Sequence, residues 1–163
     1  MSVHRFDTTH VLPIPRDEAW RFFSDPRNLA RITPPEMGFV VTSDVPEAMY
    51  PGLMITYRVR PMLNVPVTWV TEITSVVEGE RFVDDQRAGP YAMWHHEHHF
   101  RDVPGGTEMR DIVHYALPGG PIGDLINHWI VARRVAEIFG HRRRVLDGLF
   151  GTLGAPPIPL IAG

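Results

Sequence analysis

Six stretches that favour β-strands follow one another between residues 36 and 117, and their order constrains the fold more than any other feature of the sequence. They combine alternating polar and apolar positions with β-branched and aromatic residues. Separators such as Glu78-Gly79 and Pro104-Gly105-Gly106 are short and contain turn-forming residues, as antiparallel hairpins require. The sequence therefore predicts an antiparallel meander. Its strands cover Glu36–Ser43, Gly52–Arg60, Val65–Val77, Arg81–Ala88, Tyr91–Val103 and Thr107–Leu117.

One further strand and three helices flank the meander. Val3–Leu12 has strand character and ends at a proline, which cannot donate a ladder hydrogen bond. Two short helices follow, from Pro15 to about Asp25 and over Arg27–Ile32, and we expect them to form a V. The helical spacing of apolar residues in Ile122–Phe150 predicts one long amphipathic helix.

These elements together predict an α+β fold. We expect a curved antiparallel sheet of about seven strands, with two short helices, to wrap around the long C-terminal helix. A cavity remains where the sheet and the helix cannot close completely. The 163 residues fit one domain, which we assign to residues 1–150. Residues 151–163 are rich in Gly, Pro and small apolar residues, and we expect them to form a mobile tail.

Composition and charge argue against several classes of function. The formal net charge is -3, so no global basic field favours nucleic acid as a partner. The absence of Cys excludes disulfides, thiolate nucleophiles and Cys-ligated metals. The N-terminus lacks the apolar core of a signal peptide, and no apolar stretch approaches about 20 residues. We therefore expect no stable membrane insertion and a cytoplasmic location.

Several motifs resemble those of a known family. They are Pro15–Phe23, the run SDPRNLARITPPEMGF from Ser24 to Phe39, Gly52, Trp69, the run FVDDQRAGPYAMWHHEHHF from Phe82 to Phe100, and the run GGTEMRDIVHYALPGG that ends at Gly120. On these motifs the chain resembles, from about Arg5 to Leu149, the helix-grip superfamily of birch-pollen-allergen-like, START-related and polyketide-cyclase-like domains. It is most similar to the bacterial ligand-binding subgroup. The resemblance implies the helix-grip fold. It also implies two alternative functions, polyketide cyclisation and inhibition of cell division, neither of which follows from the fold.

Alternation along two neighbouring strands predicts that histidines and one carboxylate share the inner face of the sheet. The lone inward carboxylate of the last strand is Asp111. Two registers of the hairpin are open, one of which sets His96 opposite Asp111 and the other His98. Either register predicts a His–Asp contact. The inward residues of the two strands are Trp94, His96, His98, Phe100, Met109, Asp111, Val113 and Tyr115.

The neighbouring strand adds further candidates for a ligand site. Phe82, Asp84 and Gln86 share its inner face unless a bulge reverses them. We expect an apolar wall with a polar stripe, which is typical of small-molecule sites. The candidate ligand-binding residues are Trp69, Phe82, Asp84, Gln86, Trp94, His96, His98, Phe100, Met109, Asp111, Tyr115 and Trp129.

Three functions fit these candidates. The first is binding or transport of a small, largely apolar molecule, such as a lipid, isoprenoid, aromatic or polyketide-like compound, without a cofactor. The second is an enzyme of the polyketide cyclase or dehydratase type, in which His96, His98 and Asp111 polarise a carbonyl group and move a proton. The same His–Asp contact also fits a structural role, in which it only satisfies buried polar groups. The third is a protein-interaction or cell-division-regulating module, with a protein partner or a homodimer.

Two other patterns carry less weight. The run HHEHH from His95 to His99 contains residue types that bind zinc. A closed zinc site needs four ligands, and the sequence offers no second His cluster with ligand spacing, so we expect no metal site. The C-terminal helix is locally basic, and we expect a solvated face that also suits the helix dipole. Its arginines are Arg133, Arg134, Arg142, Arg143 and Arg144.

Overall fold

The computed structural model describes residues 2–60, 65–126 and 130–153, and it contains seven strands and several helical segments. The strands are β1 (His4–Leu12), β2 (Val40–Val41), β3 (Met54–Val59), β4 (Val67–Val77), β5 (Arg81–Ala88), β6 (Met93–Val103) and β7 (Gly106–Ala116). The α-helices are α1 (Arg16–Phe23), α2 (Pro121–Ile126) and α3 (Ala132–Phe150). Two 3₁₀ helices cover Pro26–Ile32 and Pro35–Met37.

All seven strands form one antiparallel sheet in the order β1-β7-β6-β5-β4-β3-β2. The six strands of the meander pair with their neighbours in sequence, and β1 pairs with β7, so that the first strand lies beside the last. The register of β6 and β7 sets Phe100 opposite Met109 and His98 opposite Asp111. The structure thus selects one of the two registers left open by the sequence. The predicted α+β architecture with a seven-stranded sheet is confirmed.

The second strand is much shorter than predicted. In place of a strand over Glu36–Ser43, the chain forms the 3₁₀ turn Pro35–Met37, and only Val40–Val41 pairs with β3. Pro35 fixes a φ angle that suits this turn, and Gly38 ends it in the left-handed conformation at φ 51°. The predicted helix over Arg27–Ile32 is also a 3₁₀ helix, which Asp25 caps by accepting a hydrogen bond from the Arg27 amide.

The C-terminal helical region is described in two parts. The prediction was one helix over Ile122–Phe150, and the structure shows α2 and α3. Residues 127–129 lie outside the described residues, and so does the predicted site residue Trp129. Of the predicted tail, residues 151–153 are described and have no regular secondary structure, and residues 154–163 lie outside the described part.

The helix α3 packs its apolar stripe against the inner face of the sheet. One end of the stripe, at Leu146, joins a cluster with Leu12, Phe82, Phe100 and Met109. The other end joins a second cluster, whose buried members include Phe6, Val113, Tyr115, Val135 and Phe139. Between these clusters the sheet and the helix leave an internal space.

The close approach of β7 to the end of β1 depends on a residue without a side chain. A Cβ atom at Gly106 would overlap the backbone carbonyl oxygen of Leu12, which a side-chain rotation cannot relieve. The exposed helical residue Gly148, by contrast, has nothing near the position of an added Cβ atom.

We predict opposite effects of alanine at these two glycines. Gly106→Ala should lower the free energy of unfolding by about 1–3 kcal/mol, the usual cost of overpacking. Gly148→Ala should raise it by up to about 1 kcal/mol, because alanine favours the helix. Urea denaturation of both variants measures the difference. A Gly106→Ala variant as stable as the wild type would contradict the close approach of the two strands.

Candidate functional site

A cavity lies between the inner face of the sheet, the 3₁₀ segment Pro26–Ile32 and α3. The space open to the centre of a water molecule is about 170 Å³, against roughly 10–15 Å³ for one water. The cavity is therefore much larger than the space that one water needs. Most of its lining is aliphatic or aromatic, and includes Leu29, Ile55, Tyr57, Trp69, Trp94, Val135, Ile138 and Phe139.

Four lining residues belong to a charged cluster, which consists of Asp84, His96, His98, Asp111 and Arg142. Strand pairing brings its members together: Asp84 of β5 is opposite His96 of β6, and His98 of β6 is opposite Asp111 of β7. His96 and His98 are two residues apart on one strand, so their side chains point to the same face. Asp111 is the only member of the cluster that does not line the cavity.

The two imidazole rings are held between two carboxylates. Asp111 Oδ1 lies 2.9 Å from His96 Nε2 and 3.1 Å from His98 Nδ1. Asp84 Oδ2 lies 2.9 Å from His98 Nε2 and 3.6 Å from His96 Nδ1. The contact of Asp111 with His98 Nδ1 is an ion pair without hydrogen-bond alignment. Each of the four imidazole nitrogens therefore faces a carboxylate oxygen.

Arg142 joins the cluster from α3. Its Nη1 lies 3.5 Å from Asp111 Oδ1, and its guanidinium carbon lies 4.7 Å from the centre of the Phe139 ring. Its Nε is buried and has no hydrogen-bond partner among the described residues. The expectation of a solvated arginine face is therefore wrong for Arg142 and for Arg143, which are 8% and 9% exposed.

Helical spacing explains why these arginines are buried. Position 142 is three residues after Phe139 and four before Leu146, so it falls in the stripe that faces the sheet. Arg143 lies beside this stripe and donates a hydrogen bond to the Thr9 carbonyl oxygen at 2.6 Å. The apolar spacing of the helix was the sequence signal that could have placed Arg142 in the site.

The surroundings shift the pKa values of the two histidines in opposite directions. Burial alone would lower the pKa of His98, but the carboxylates of Asp111 and Asp84 more than offset this and raise it. Burial and the neighbouring His98 cation lower the pKa of His96. Burial would raise the pKa of Asp111 and Asp84, but the neighbouring histidines and Arg142 lower both values. His98 therefore holds a proton more readily than His96 does.

About half of the candidate ligand-binding residues line the cavity. These are Trp69, Phe82, Asp84, Trp94, His96 and His98. The other described candidates do not, and the reasons differ. Gln86 turns to the backbone of Tyr91, where its Nε2 donates a hydrogen bond to the carbonyl oxygen at 2.7 Å.

The remaining candidates are occupied in the core or behind the site. Phe100 and Met109 lie further along their strands, in the cluster under α1, where Phe100 packs edge-on against Trp20. Tyr115 belongs to the opposite cluster. Asp111 stands behind the two imidazoles and contacts them instead of the cavity.

The part of the lining that comes from outside the sheet was not predicted from the sequence. Leu29 belongs to the 3₁₀ segment, and Val135, Ile138 and Phe139 come from α3. The apolar stripe of α3 predicted burial, but not which part of it faces an open space. That division depends on the curvature of the sheet, which no local pattern specifies.

The site supports two kinds of chemistry. The apolar walls can surround a hydrophobic body, and the charged cluster can hydrogen-bond a polar group. The imidazoles, oriented by carboxylates, also have the arrangement of proton-transfer groups.

Within the described part of the chain, no helix is both long and apolar enough to cross a membrane.

Comparisons with known proteins identify the fold. No protein-family model matches the chain, and no curated protein sequence matches it. Among solved structures, protein Ms6760 from Mycobacterium smegmatis is 18% identical, with a TM-score of 0.64 over 91% of this chain and 98% of that chain. Protein CV1439 from Chromobacterium violaceum is 17% identical, with a TM-score of 0.67 over 90% and 97%.

The third comparison connects the fold to a described group. The allergen Ara h 8.0201, a Bet v1-like protein, is 14% identical, with a TM-score of 0.59 over 90% of this chain and 99% of that chain. The seven-stranded antiparallel sheet and the C-terminal helix match this neighbour. The chain therefore has the helix-grip fold, as the sequence predicted. At these identities the likeness defines the fold, and the function must be argued from the site.

We predict that His96 and His98 titrate separately, with His96 losing its proton at the lower pH. The pKa of His98 lies above the ordinary value of 6.5 and that of His96 below it, so His98 should keep its proton to a higher pH than His96. Nitrogen chemical shifts of the imidazoles, followed by NMR against pH in chelator-treated protein, measure this. The prediction is wrong if the two rings titrate together, or if His98 loses its proton first.

We predict a large stability cost for removing the charge of Asp111. Asp111→Asn should lower the free energy of unfolding by about 3–5 kcal/mol, because it leaves a buried cation without its partner. The matched control is Asp85→Asn on the outer face, where Asp85 contacts the half-exposed His95 at 2.7 Å. That change should cost less than about 1 kcal/mol. Equal costs in chemical denaturation would contradict the central role of Asp111.

Proposed function

We propose that this protein binds a small, largely apolar molecule in the cavity between the sheet and α3. The observation that carries the proposal is a predominantly apolar space with a charged cluster in its wall. Such a combination favours a ligand with a hydrophobic body, which gains from leaving water, and at least one polar group. Lipids, isoprenoids, aromatic compounds and polyketide-like compounds are the classes that fit.

The polar group of the ligand has defined partners. Asp84, His98 and Arg142 line the cavity, and together they offer hydrogen-bond donors and an acceptor. Arg142 is the strongest candidate for a direct contact, because its buried Nε lacks a partner among the described residues. A hydroxyl, carbonyl or carboxylate oxygen at that position would satisfy it.

Catalysis of the cyclase or dehydratase type is the second candidate. It is supported by His98, which lies between Asp84 and Asp111 and lines the cavity. In this role, the His98 imidazolium donates the proton of Nε2 to a carbonyl oxygen of the substrate in place of its contact with Asp84, while Asp111 stays beside Nδ1. Neutral His96, whose Nε2 lies 2.9 Å from Asp111, would accept a proton through its other nitrogen.

The cytoplasmic location stays a prediction.

Ligand binding can be tested with the purified protein. Native mass spectrometry should detect a co-purified molecule, and fatty acids, isoprenoids, flavonoids and aromatic polyketides should be screened by thermal shift. A ligand at about 100 times its Kd adds about 2.7 kcal/mol to the free energy of unfolding. We therefore expect at least one class to raise Tm by several degrees.

A cavity-filling variant shows where the ligand binds. Ile138 lines the cavity, so Ile138→Trp should fill it and abolish the ligand-dependent rise in Tm. The matched control, Val77→Trp, adds the same side chain at a position that is 37% exposed and should retain the rise. If no compound binds, or if the two variants respond alike, the cavity is not the binding site.

The carrier and the enzyme differ in the effect of His98→Gln. For a carrier, the variant changes only the affinity for the ligand. For an enzyme it leaves binding largely intact and lowers turnover of the compound by orders of magnitude. Retention of the protein by a protein partner, with no response to any small molecule, would favour the interaction module instead.

A further inference from the structure

We propose that Asp84, His96 and His98 form a binding site for a divalent transition-metal ion in the wall of the cavity. The site goes beyond the binding of an organic molecule and does not depend on it. The sequence alone predicted no metal, because a closed site needs four ligands. The structure suggests a different kind of site, with three protein ligands and open positions.

The distances between the three ligand atoms suit one ion. One ligand atom from each of Asp84, His96 and His98 lies within 4.8 Å of the other two. Asp84 Oδ2 lies 2.9 Å from His98 Nε2 and 3.6 Å from His96 Nδ1. Two ligands bound at about 2.0–2.1 Å are separated by about 2.9 Å at a right angle and about 3.3 Å at a tetrahedral angle. The first of the two Asp84 distances matches the right-angle value, and the second exceeds the tetrahedral value by a few tenths of an ångström.

Asp111 contacts both imidazoles at the nitrogens opposite the proposed metal ligands. Its Oδ1 lies 2.9 Å from His96 Nε2 and 3.1 Å from His98 Nδ1, which are the nitrogens that do not face Asp84. Metal-binding histidines commonly donate their second ring nitrogen to a carboxylate, which fixes the ring and its tautomer. Here Asp111 has this hydrogen bond with His96 and contacts His98 Nδ1 without hydrogen-bond alignment, and the other nitrogen of each ring faces Asp84.

The charges also favour a cation at this position. When His96 donates from Nε2 to Asp111, its Nδ1 carries a lone pair that faces the Asp84 carboxylate at 3.6 Å. Two acceptors at this distance repel each other unless a cation lies between them. A divalent ion satisfies Asp84 and both imidazoles at once.

The donor set and the charge count indicate which ion and which further ligand fit. Two imidazoles and one carboxylate suit Zn²⁺, Fe²⁺, Co²⁺ or Ni²⁺ better than Mg²⁺ or Ca²⁺. The three ligand residues all line the cavity, so the open positions face it. With Asp84 and Asp111 ionised and Arg142 charged, a divalent ion leaves the cluster one charge positive. An anionic oxygen, such as hydroxide or a ligand carboxylate, offsets that charge.

Titration of metal alone into untagged, chelator-treated protein tests the site. Co²⁺ should bind at one equivalent with visible d–d bands, and Zn²⁺ should displace it. X-ray absorption of the wild-type complex should show two imidazole nitrogens and one carboxylate oxygen. No organic ligand is present, so the result is independent of the proposed carrier function.

Substitutions identify the ligands. His98→Gln and Asp84→Asn should abolish one-equivalent binding, and Asp111→Asn should weaken it by about 10–100-fold. The matched control is the double variant His95→Gln/His99→Gln, which removes two imidazoles of the same strand that point to the outer face. It should bind Co²⁺ as the wild type does. Circular dichroism checks that each variant is folded.

Three results would overturn the proposal. The first is wild-type protein that shows no saturable uptake of Co²⁺ or Zn²⁺. The second is an absorption spectrum without imidazole nitrogen, which needs no variant and therefore stands even if the buried substitutions prevent folding. The third is loss of binding in the His95→Gln/His99→Gln control, which would place the ion on the outer surface.

Discussion

The site depends on the pairing of the buried Asp111 carboxylate with neighbouring cationic and imidazole groups. This residue is 4% exposed, and a charge in such a position is tolerated only when it is paired and hydrogen-bonded. Asp111 meets this condition through two imidazoles from β6 and a guanidinium from α3. These contacts connect two strands to the helix that covers the sheet. The position of α3, and therefore the shape of the cavity, is coupled to the charge of one residue.

The same pairing determines which polar groups line the cavity. Asp111 contacts one nitrogen of each ring. The other nitrogen of each ring faces Asp84, on the side of the cavity. The lining then changes from aromatic and aliphatic side chains to charged ones within one small volume. A wholly apolar molecule would leave the buried polar groups of this wall without partners. Under the proposed functions, a ligand would place an oxygen, or an ion its charge, at the cluster.

The sheet and the inward histidines could be predicted because they follow from local geometry. Strand alternation has a fixed period of two, so the inward placement of His96, His98 and Asp111 required only that β6 and β7 be strands. The register remained open because the Pro104-Gly105-Gly106 turn is compatible with two pairings. Both histidines reach Asp111 in the observed register, since positions two residues apart on one face lie within reach of the same neighbour.

Other features required the folded chain. The Gly38 turn shortened the second strand, and Gln86 turned to the Tyr91 backbone; both outcomes depend on turn conformations that alternation does not describe. We expected Arg142 in solvent because its side chain is charged, although its position falls in the apolar stripe of α3. Its burial depends on Asp111, which lies 31 positions away in the sequence. Only long-range pairing could supply that information.

The most direct test of the account is a crystal structure of the protein with the compound that raises Tm most. We expect the apolar part of the compound beside Trp69 and Phe139, with a polar atom within hydrogen-bond distance of Asp84, His98 or Arg142. A compound bound on the outer face of the sheet, or in the cavity with no polar contact to these residues, would contradict the account.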